Sequence, residues 1–152
     1  MTDTPDLQPF HKQFSVGCFN STWDLIDKTD RTTPDEITML LRAMTSLWHW
    51  TQRADCTPRN LSVGYWQVSR VLTLIGQGDL AWKFGELCRD SSSPNEPFYL
   101  AYAHEALARA ATLLGHTDTA RHHLDEAHRL AETVPDPADR EPLLKDLASI
   151  QP

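Results

Sequence analysis

The sequence has little of the material from which disulfide-rich, metal-bound or phosphate-binding domains are built. It carries three cysteines in 152 residues, Cys18, Cys56 and Cys88, and none has the short spacing of a zinc ligand pair or a disulfide framework. Its six glycines form no phosphate-binding loop, dinucleotide fingerprint or nucleophile elbow. No apolar stretch approaches the roughly 20 residues that cross a bilayer. These absences weigh against a secreted disulfide scaffold, a nucleotide-dependent enzyme and a membrane-spanning protein.

Positive charge is also scarce. Lys and Arg total 14 against 21 Asp and Glu, which gives a formal net charge of −7. Nucleic-acid binding depends on clustered basic side chains that displace counterions from phosphate. The first ten residues, MTDTPDLQPF, lack the positive start and apolar run of a signal peptide. We therefore expect a cytoplasmic protein of bacterial type, with neither a nucleic-acid partner nor a membrane.

What the chain does have is the pattern of helices. Clusters of Pro and Gly divide it into segments of about 15–20 residues, and no segment alternates with the period of a strand. We predict an all-α fold of about seven helices in antiparallel pairs, forming a single domain over residues 1–152. The predicted helices are about 8–28, 34–54, 58–76, 79–90, 97–114, 118–133 and 142–149.

Several helix starts carry recognisable capping residues. Thr33 is followed by Pro34 and, three residues on, by Glu36, which predicts a capping box with Thr33 as the N-cap. Thr57 and the proline after it repeat the cap-plus-proline pattern. Pro142 predicts a break, because proline inside a helix removes a backbone hydrogen bond. The final helix is therefore expected to be short and to begin at residue 142.

The helix over 34–54 is apolar around much of its circumference, which predicts packing on more than one side. One apolar stripe contains Ile37, Leu40, Leu41, Met44, Leu47 and Trp48. The opposite polar face contains Thr38, Arg42, Thr45, His49 and Arg53. The phase of His49 groups it with the two arginines, so a solvated basic face is the favoured interpretation.

Two parts of the chain repeat each other. Residues 70–90 align without gaps to residues 109–129, at an offset of 39. The matched positions are Arg70 with Arg109, Thr73 with Thr112, Leu74 with Leu113, Gly76 with Gly115, Asp79 with Asp118, and Ala81 with Ala120. Each copy predicts a helix, a tight turn at the glycine, and a second helix whose alanine allows close approach to the first.

This repeat resembles the tetratricopeptide repeat, a 34-residue pair of helices with small residues at fixed positions. Ala81 with Cys88, and Ala120 with Ala127, have the seven-residue separation of the small residues on that family's second helix. The resemblance covers about residues 61–134 and implies a right-handed α-α superhelix, with a helical bundle as the alternative. The implied repeat-like pairs lie over 58–90 and 97–134. An aromatic-rich helical pair over 8–54, which has no match to the motif, precedes them, and a short capping helix within 136–152 follows.

The resemblance also implies a concave face, lined by the first helix of each pair, that binds a protein or peptide partner. Carried over by position, the lining residues are Val63, Trp66, Arg70, Thr73, Tyr102, Glu105, Arg109 and Thr112. Steps of three and four place each set on one helical face. Arg70 and Arg109 could together clamp an anionic group such as a peptide carboxylate. The alternative is that the arginines pair with local acids such as Glu105.

Two other functions remain open. A helical-bundle enzyme could gather His11, His49 and His104 around a metal or small molecule, although no H-E-x-x-H or E-x-x-H motif is present. The sequence therefore favours a binding module over an enzyme, with no cofactor. All thirteen aromatic residues lie between Phe10 and Tyr102. An exposed aromatic patch on the helix over 34–54 could instead make the protein a self-associating homodimer.

Overall fold

A computed structural model, which describes residues 6–152, shows seven α-helices and no strand in that part of the chain. They are α1 (Gln8–Ile26), α2 (Thr33–Thr51), α3 (Pro58–Leu74), α4 (Gly78–Ser91), α5 (Pro97–Leu113), α6 (Thr117–Ala131) and α7 (Pro137–Ala148). The predicted all-α fold is confirmed. None of the helices in the described residues is both long enough and apolar enough to cross a membrane.

The helices pack in chain order, and the odd-numbered ones form a continuous row. Each helix contacts the one before it. In addition α1 contacts α3, α3 contacts α5, and α5 contacts α7, whereas α2, α4 and α6 do not contact one another. The odd-numbered helices therefore lie on the side where neighbouring pairs approach most closely, and we call the surface they share the inner face.

The two sequence repeats adopt the same turn. Gly76 and Gly115 have φ angles of +79° and +74°, a left-handed conformation that glycine adopts without strain. The amide after each glycine donates to the carbonyl five residues earlier, over 2.8 and 2.9 Å. The hydroxyls of Thr73 and Thr112 each donate to a carbonyl one turn back, over 2.9 and 2.8 Å. Residues 39 positions apart therefore have equivalent backbone geometry.

The small residues of the repeat lie where helices meet. Ala81, Cys88, Ala120 and Ala127 are all 0% exposed. Side chains this small let the second helix of each pair approach its neighbours, and the contact excludes water from larger apolar side chains nearby. The predicted role of these positions in helix packing is confirmed.

The cap of α2 lies one residue earlier than predicted. Thr32 is the N-cap, and its hydroxyl accepts a hydrogen bond from the amide of Asp35, whose carboxylate accepts one from the amide of Thr32. The predicted pair of Thr33 and Glu36 is therefore wrong. Lys28 explains the choice, because its ammonium group lies 2.7 Å from the Asp35 carboxylate. The hydrogen bond from Lys28, and then those from Thr32, lower the pKa of Asp35 to about 2.

The last helix begins at Pro137, and the prediction that Pro142 would delay its start is wrong. Pro142 lies in the second turn, where the lost hydrogen bond costs about 3 kcal/mol. Asp136 compensates in part, since its carboxylate accepts a hydrogen bond of 2.9 Å from the amide two residues on. Leu143 and Leu147 are both 0% exposed, and burying each side chain contributes about 2 kcal/mol. The free energy gained by burying these two leucines thus outweighs the cost of Pro142.

Three members of the predicted polar face, Arg42, His49 and Arg53, are half-buried, which corrects the sequence interpretation for them, whereas Thr38 and Thr45 are exposed. The Arg42 guanidinium donates to the backbone carbonyl of Ser21 over 2.9 Å. Arg53 donates to the Ser15 hydroxyl over 3.0 Å, and His49 also contacts α1. The basic side chains that sequence phase placed on an exposed face therefore contact α1. The backbone carbonyl of Ser21 and the hydroxyl of Ser15 accept their hydrogen bonds.

The apolar stripe of α2 is divided between the core and solvent. Met39, Ala43 and Leu47 are buried in the main core. The outer part is exposed, at 55% for Ile37, 61% for Leu41, 41% for Met44 and 55% for Trp48. The helix consequently packs on two sides, as predicted, and still leaves apolar side chains without a partner among the described residues.

Candidate binding site on the inner face

A cavity of about 210 Å³ lies on the inner face and is half-open to solvent. All four odd-numbered helices contribute to its wall, so it depends on how the helix pairs stack. The lining residues are Phe19 and Trp23 from α1, Ser62, Val63 and Trp66 from α3, Cys88 from α4, Phe98, Tyr99 and Tyr102 from α5, and Asp146 from α7. Six of these ten residues are aromatic. We call this space the aromatic cavity.

The aromatic side chains support one another through ring contacts. Trp23 stacks on Trp66 with ring centroids 5.7 Å apart and planes at 29°. Trp66 meets Tyr102 edge to face at 5.5 Å, and Tyr102 meets Phe98 in the same manner at 5.1 Å. Such pairs contribute about 0.5–1.5 kcal/mol beyond their buried area. The rings are therefore fixed in orientation before any ligand arrives.

One carboxylate lies among these rings. Asp146 accepts a hydrogen bond from the Tyr102 hydroxyl over 2.9 Å. Burial, and then the charge of Asp146, raise the pKa of Tyr102, so the phenol stays protonated at neutral pH. Burial also raises the pKa of Cys88 to about 12. Asp146 is the acidic residue of the wall, and no basic residue lines it.

Glu105 lies behind the wall and is used internally. Its side chain is 1% exposed, and it accepts a hydrogen bond of 2.8 Å from the indole nitrogen of Trp66. It also forms an ion pair with Arg109, one turn later on α5. The sequence placed Glu105 on the lining of the groove, and the structure instead buries it as the support of Trp66 and Arg109.

The two repeat arginines have different surroundings. Arg109 pairs with Glu105 and also donates to the backbone carbonyl of Asp146 and the Ser149 hydroxyl, over 3.0 and 2.8 Å. Arg70 is half-buried and makes no hydrogen bond or ion pair with any residue of the described part of the chain. Burial, and then the charge of Arg109, lower its pKa. Arg70 and Arg109 therefore do not form the matched clamp suggested by the sequence, because Arg109 is already bound by Glu105 and α7.

Two further hollows extend the aromatic cavity along the inner face. One, of about 220 Å³, shares Phe19, Val63 and Tyr99 with it. The other, of about 340 Å³, is lined by Thr73, Arg109, Thr112 and the C-terminal residues after α7. The predicted lining residues thus fall into three groups. Val63, Trp66 and Tyr102 line the aromatic cavity, Thr73, Arg109 and Thr112 line the far hollow, and Arg70 and Glu105 line neither.

Sequence reasoning missed seven of the ten residues that line the aromatic cavity. Phe19 and Trp23 belong to α1, which has no match to the repeat, and Asp146 belongs to a helix whose start was misplaced. Phe98 and Tyr99 precede the positions carried over from the family. The available signal was the concentration of aromatic residues before Tyr102, which identified the region without the individual positions.

The histidines form two separate pairs. His11 and His49 approach through their Nδ1 atoms at 2.8 Å, and His104 approaches His123 in the same way at 2.9 Å. No Cα atom of α5, which carries His104, lies within 8 Å of one in α1 or α2. The suggested trio of His11, His49 and His104 is therefore not brought together. Within residues 6–152 no three His, Cys, Asp or Glu side chains are grouped to hold a metal ion.

Comparison of the chain with protein-family models, curated proteins and solved structures finds no match. What the inner face can bind is therefore inferred from its own residues.

Proposed function

We propose that the protein is a binding module that holds an extended segment of a partner protein along its inner face. The observation that carries this proposal is the row of three hollows, with the aromatic cavity between the other two along α3. From Asn60 in the first hollow to Thr73 in the last, a helix rises about 20 Å at 1.5 Å per residue. An extended peptide covers that distance with about six residues.

The size of the aromatic cavity supports a peptide anchor. Sites for drug-sized molecules usually measure about 300–1,000 Å³, and this cavity measures about 210 Å³. That volume suits a single side chain. Rigid aromatic walls around a buried side chain are the arrangement found at the energetic centre of many interfaces. The resemblance to tetratricopeptide repeats, whose inner helices bind peptides, points to the same face.

The test is to select binders from a random heptapeptide library and measure their affinity by calorimetry. Val63→Phe places a ring in the aromatic cavity and is expected to weaken binding of the selected peptide at least tenfold. Leu87→Phe is the matched control, because Leu87 is 43% exposed on α4 and lies outside all three hollows. Equal affinity of the Val63→Phe variant and the wild type would contradict the proposal.

Self-association is a second candidate function, favoured by the outer face of α2. Its exposed positions carry no charged residue from Thr33 to Thr51. Phe10 and Phe14 of α1 are also exposed, at 53% and 44%, and the Phe14 ring lies 5.3 Å from the His49 ring of α2. Apolar patches of several hundred Å² on one face mark interaction sites. A second copy of the chain would cover this patch symmetrically.

This candidate is tested by light scattering across a concentration series. The wild type is expected to dimerise at tens of micromolar, and Leu41→Glu is expected to be monomeric because it places a charge at the centre of the patch. Leu80→Glu, at a 43% exposed position on α4, should behave as the wild type does. A wild-type monomer at millimolar concentration would exclude self-association.

A further inference from the structure

The aromatic cavity has the chemistry of a cation site. Six rings present π faces and edges to its interior, and aromatic faces attract positive charge through their quadrupole. Asp146 adds a full negative charge to the same wall. One Asp146 oxygen accepts the Tyr102 hydroxyl, and neither forms an ion pair with a basic side chain of residues 6–152. The wall therefore combines π surface with a carboxylate that makes no direct ion pair within the described residues.

The basic residues near the cavity are mostly neutralised by other partners. Arg59 lies 5.1 Å over the Tyr99 ring and pairs with Glu96. Arg109 pairs with Glu105 and reaches only the backbone carbonyl of Asp146. Arg70 feels the charge of Asp146, but it does not line the cavity and does not reach ion-pair distance. The balance of charge at the wall is thus negative.

Two aromatic rings of the protein already contact a cation, and in both cases it is an arginine guanidinium. The Arg53 guanidinium lies 3.7 Å over the ring of Trp50, which lines the adjoining hollow, and Arg59 lies over Tyr99. A guanidinium group is planar and weakly hydrated, so it stacks on rings and loses little on leaving water. Its forked donors also match a carboxylate. Stacked rings beside one carboxylate suit this group well.

We propose that the aromatic cavity takes the guanidinium side chain of an arginine in the partner segment, with the free Asp146 oxygen accepting its hydrogen bonds and the Trp66 and Tyr102 rings enclosing it. This inference rests on the proposed function, because it names the anchor residue of the same peptide. The hydroxyl of Tyr102 and the backbone contact of Arg109 hold Asp146 in place beforehand. Binding then requires little reorganisation.

The experiment compares probes that differ in charge but hardly in shape. Acetylated and amidated Ala-Ala-Arg-Ala-Ala is titrated against the same peptide with citrulline, in which one guanidinium nitrogen is replaced by oxygen. Methylguanidinium alone serves as the third probe. Binding is followed through the indole resonances of Trp23 and Trp66 in nuclear magnetic resonance spectra. We expect the arginine peptide to bind at least tenfold more tightly than the citrulline peptide.

Two variants locate the charge that makes the difference. Asp146→Asn keeps an acceptor for the Tyr102 hydroxyl but removes the negative charge, so the preference for arginine is expected to fall below threefold. Asp139→Asn is the control on α7, since Asp139 is exposed and outside the cavity wall. It should retain the full preference. Circular dichroism of both variants checks that the helices are intact.

The outcomes separate this inference from the function on which it rests. Equal binding of both peptides would overturn the charge preference and leave peptide binding standing. Methylguanidinium binding as tightly as the arginine peptide would support the cation site and contradict the peptide function. A preference for arginine that persists in Asp146→Asn would overturn the assigned role of Asp146. The absence of any indole shift with all three probes would overturn the inference itself.

Discussion

Removal of the charge of Glu105 should destabilise the protein substantially, although Glu105→Gln changes a single functional group. Glu105→Gln keeps the shape and an oxygen that can accept the hydrogen bond of the Trp66 indole. It removes the carboxylate that neutralises Arg109, whose side chain is only 10% exposed. Arg109 would keep its contacts with the Asp146 carbonyl and the Ser149 hydroxyl, but its charge would be buried without compensation.

The expected loss is about 3 kcal/mol, because removing one partner of a buried ion pair costs roughly 3–5 kcal/mol and glutamine retains one hydrogen bond. A protein of this size has about 5–15 kcal/mol of stability in total. The loss therefore corresponds to a fall in Tm of about 6–12 °C, at roughly 2–4 °C per kcal/mol. Urea denaturation followed by circular dichroism at 222 nm measures the free energy of unfolding directly.

Glu126→Gln is the matched control for this prediction. Glu126 pairs with Arg129 three residues later on α6, and the two side chains are 33% and 61% exposed. Exposed pairs of this type contribute little to stability because solvent screens them, so the control should unfold close to the wild type. If Glu105→Gln cost no more than Glu126→Gln, the Glu105 and Arg109 pair would not be stabilising the inner face as described.

Two further predictions concern packing and pH. Gly85→Ala should destabilise the protein by about 1–3 kcal/mol, because the new Cβ would lie 2.9 Å from Cδ2 of buried Leu107. In the control Gly17→Ala the new Cβ meets nothing within 4 Å, so that variant should be more stable than the wild type by about 0.5–1 kcal/mol. Similar urea midpoints for the two variants would contradict this packing. Burial, and then the charge of His104, lower the pKa of His123 from 6.5 to about 4. As pH falls, the unfolded chain is therefore protonated at His123 before the folded chain is, and the free energy of unfolding decreases between pH 6.5 and 4. His123→Asn should flatten that fall in urea midpoints taken across the range, and an unchanged slope would assign the effect to other groups.

Helix positions were predictable from the sequence because breakers and apolar spacing act locally. Six of the seven helices begin within one residue of their expected starts. The exception is α7, where the local cost of a proline inside the helix competes with the free energy gained by packing against distant parts of the chain. Pro142 disfavours a helix in its own turn, but the burial of Leu143 and Leu147 against the rest of the fold decides the outcome, and that burial is invisible in the local pattern.

It was harder to infer which face of a helix is buried when both faces carried residues that can pack against a neighbouring helix. The side chains of Arg42 on α2 and of Arg53, just after α2, turn toward α1, while Leu41 and Trp48 remain exposed. Hydrophobic phase alone predicts the opposite. The sequence pattern could not include the acceptors on α1 that receive these side chains, because they lie about 20 to 40 residues away along the chain.

The site was predictable where it lay within the repeat and unpredictable where it did not. Val63, Trp66 and Tyr102 were carried over by position from the resemblance to the tetratricopeptide repeat, and helical spacing placed each set on one face. Asp146 could not be found in that way, since no internal match exists for α7. Its importance comes from the path of the chain after α6, which returns α7 to the inner face beside Tyr102.

The aromatic cavity brings α1 beside α5 and α7, two helices that α1 does not otherwise approach. No Cα atom of α1 lies within 8 Å of one in α5 or α7, yet all three contribute to the same wall. An occupant would thus bridge the beginning and the end of the helical array through contacts that the chain does not make by itself. Amide protons of α1 should then exchange with solvent more slowly when a ligand is bound, and α1 should open together with the later helices instead of ahead of them.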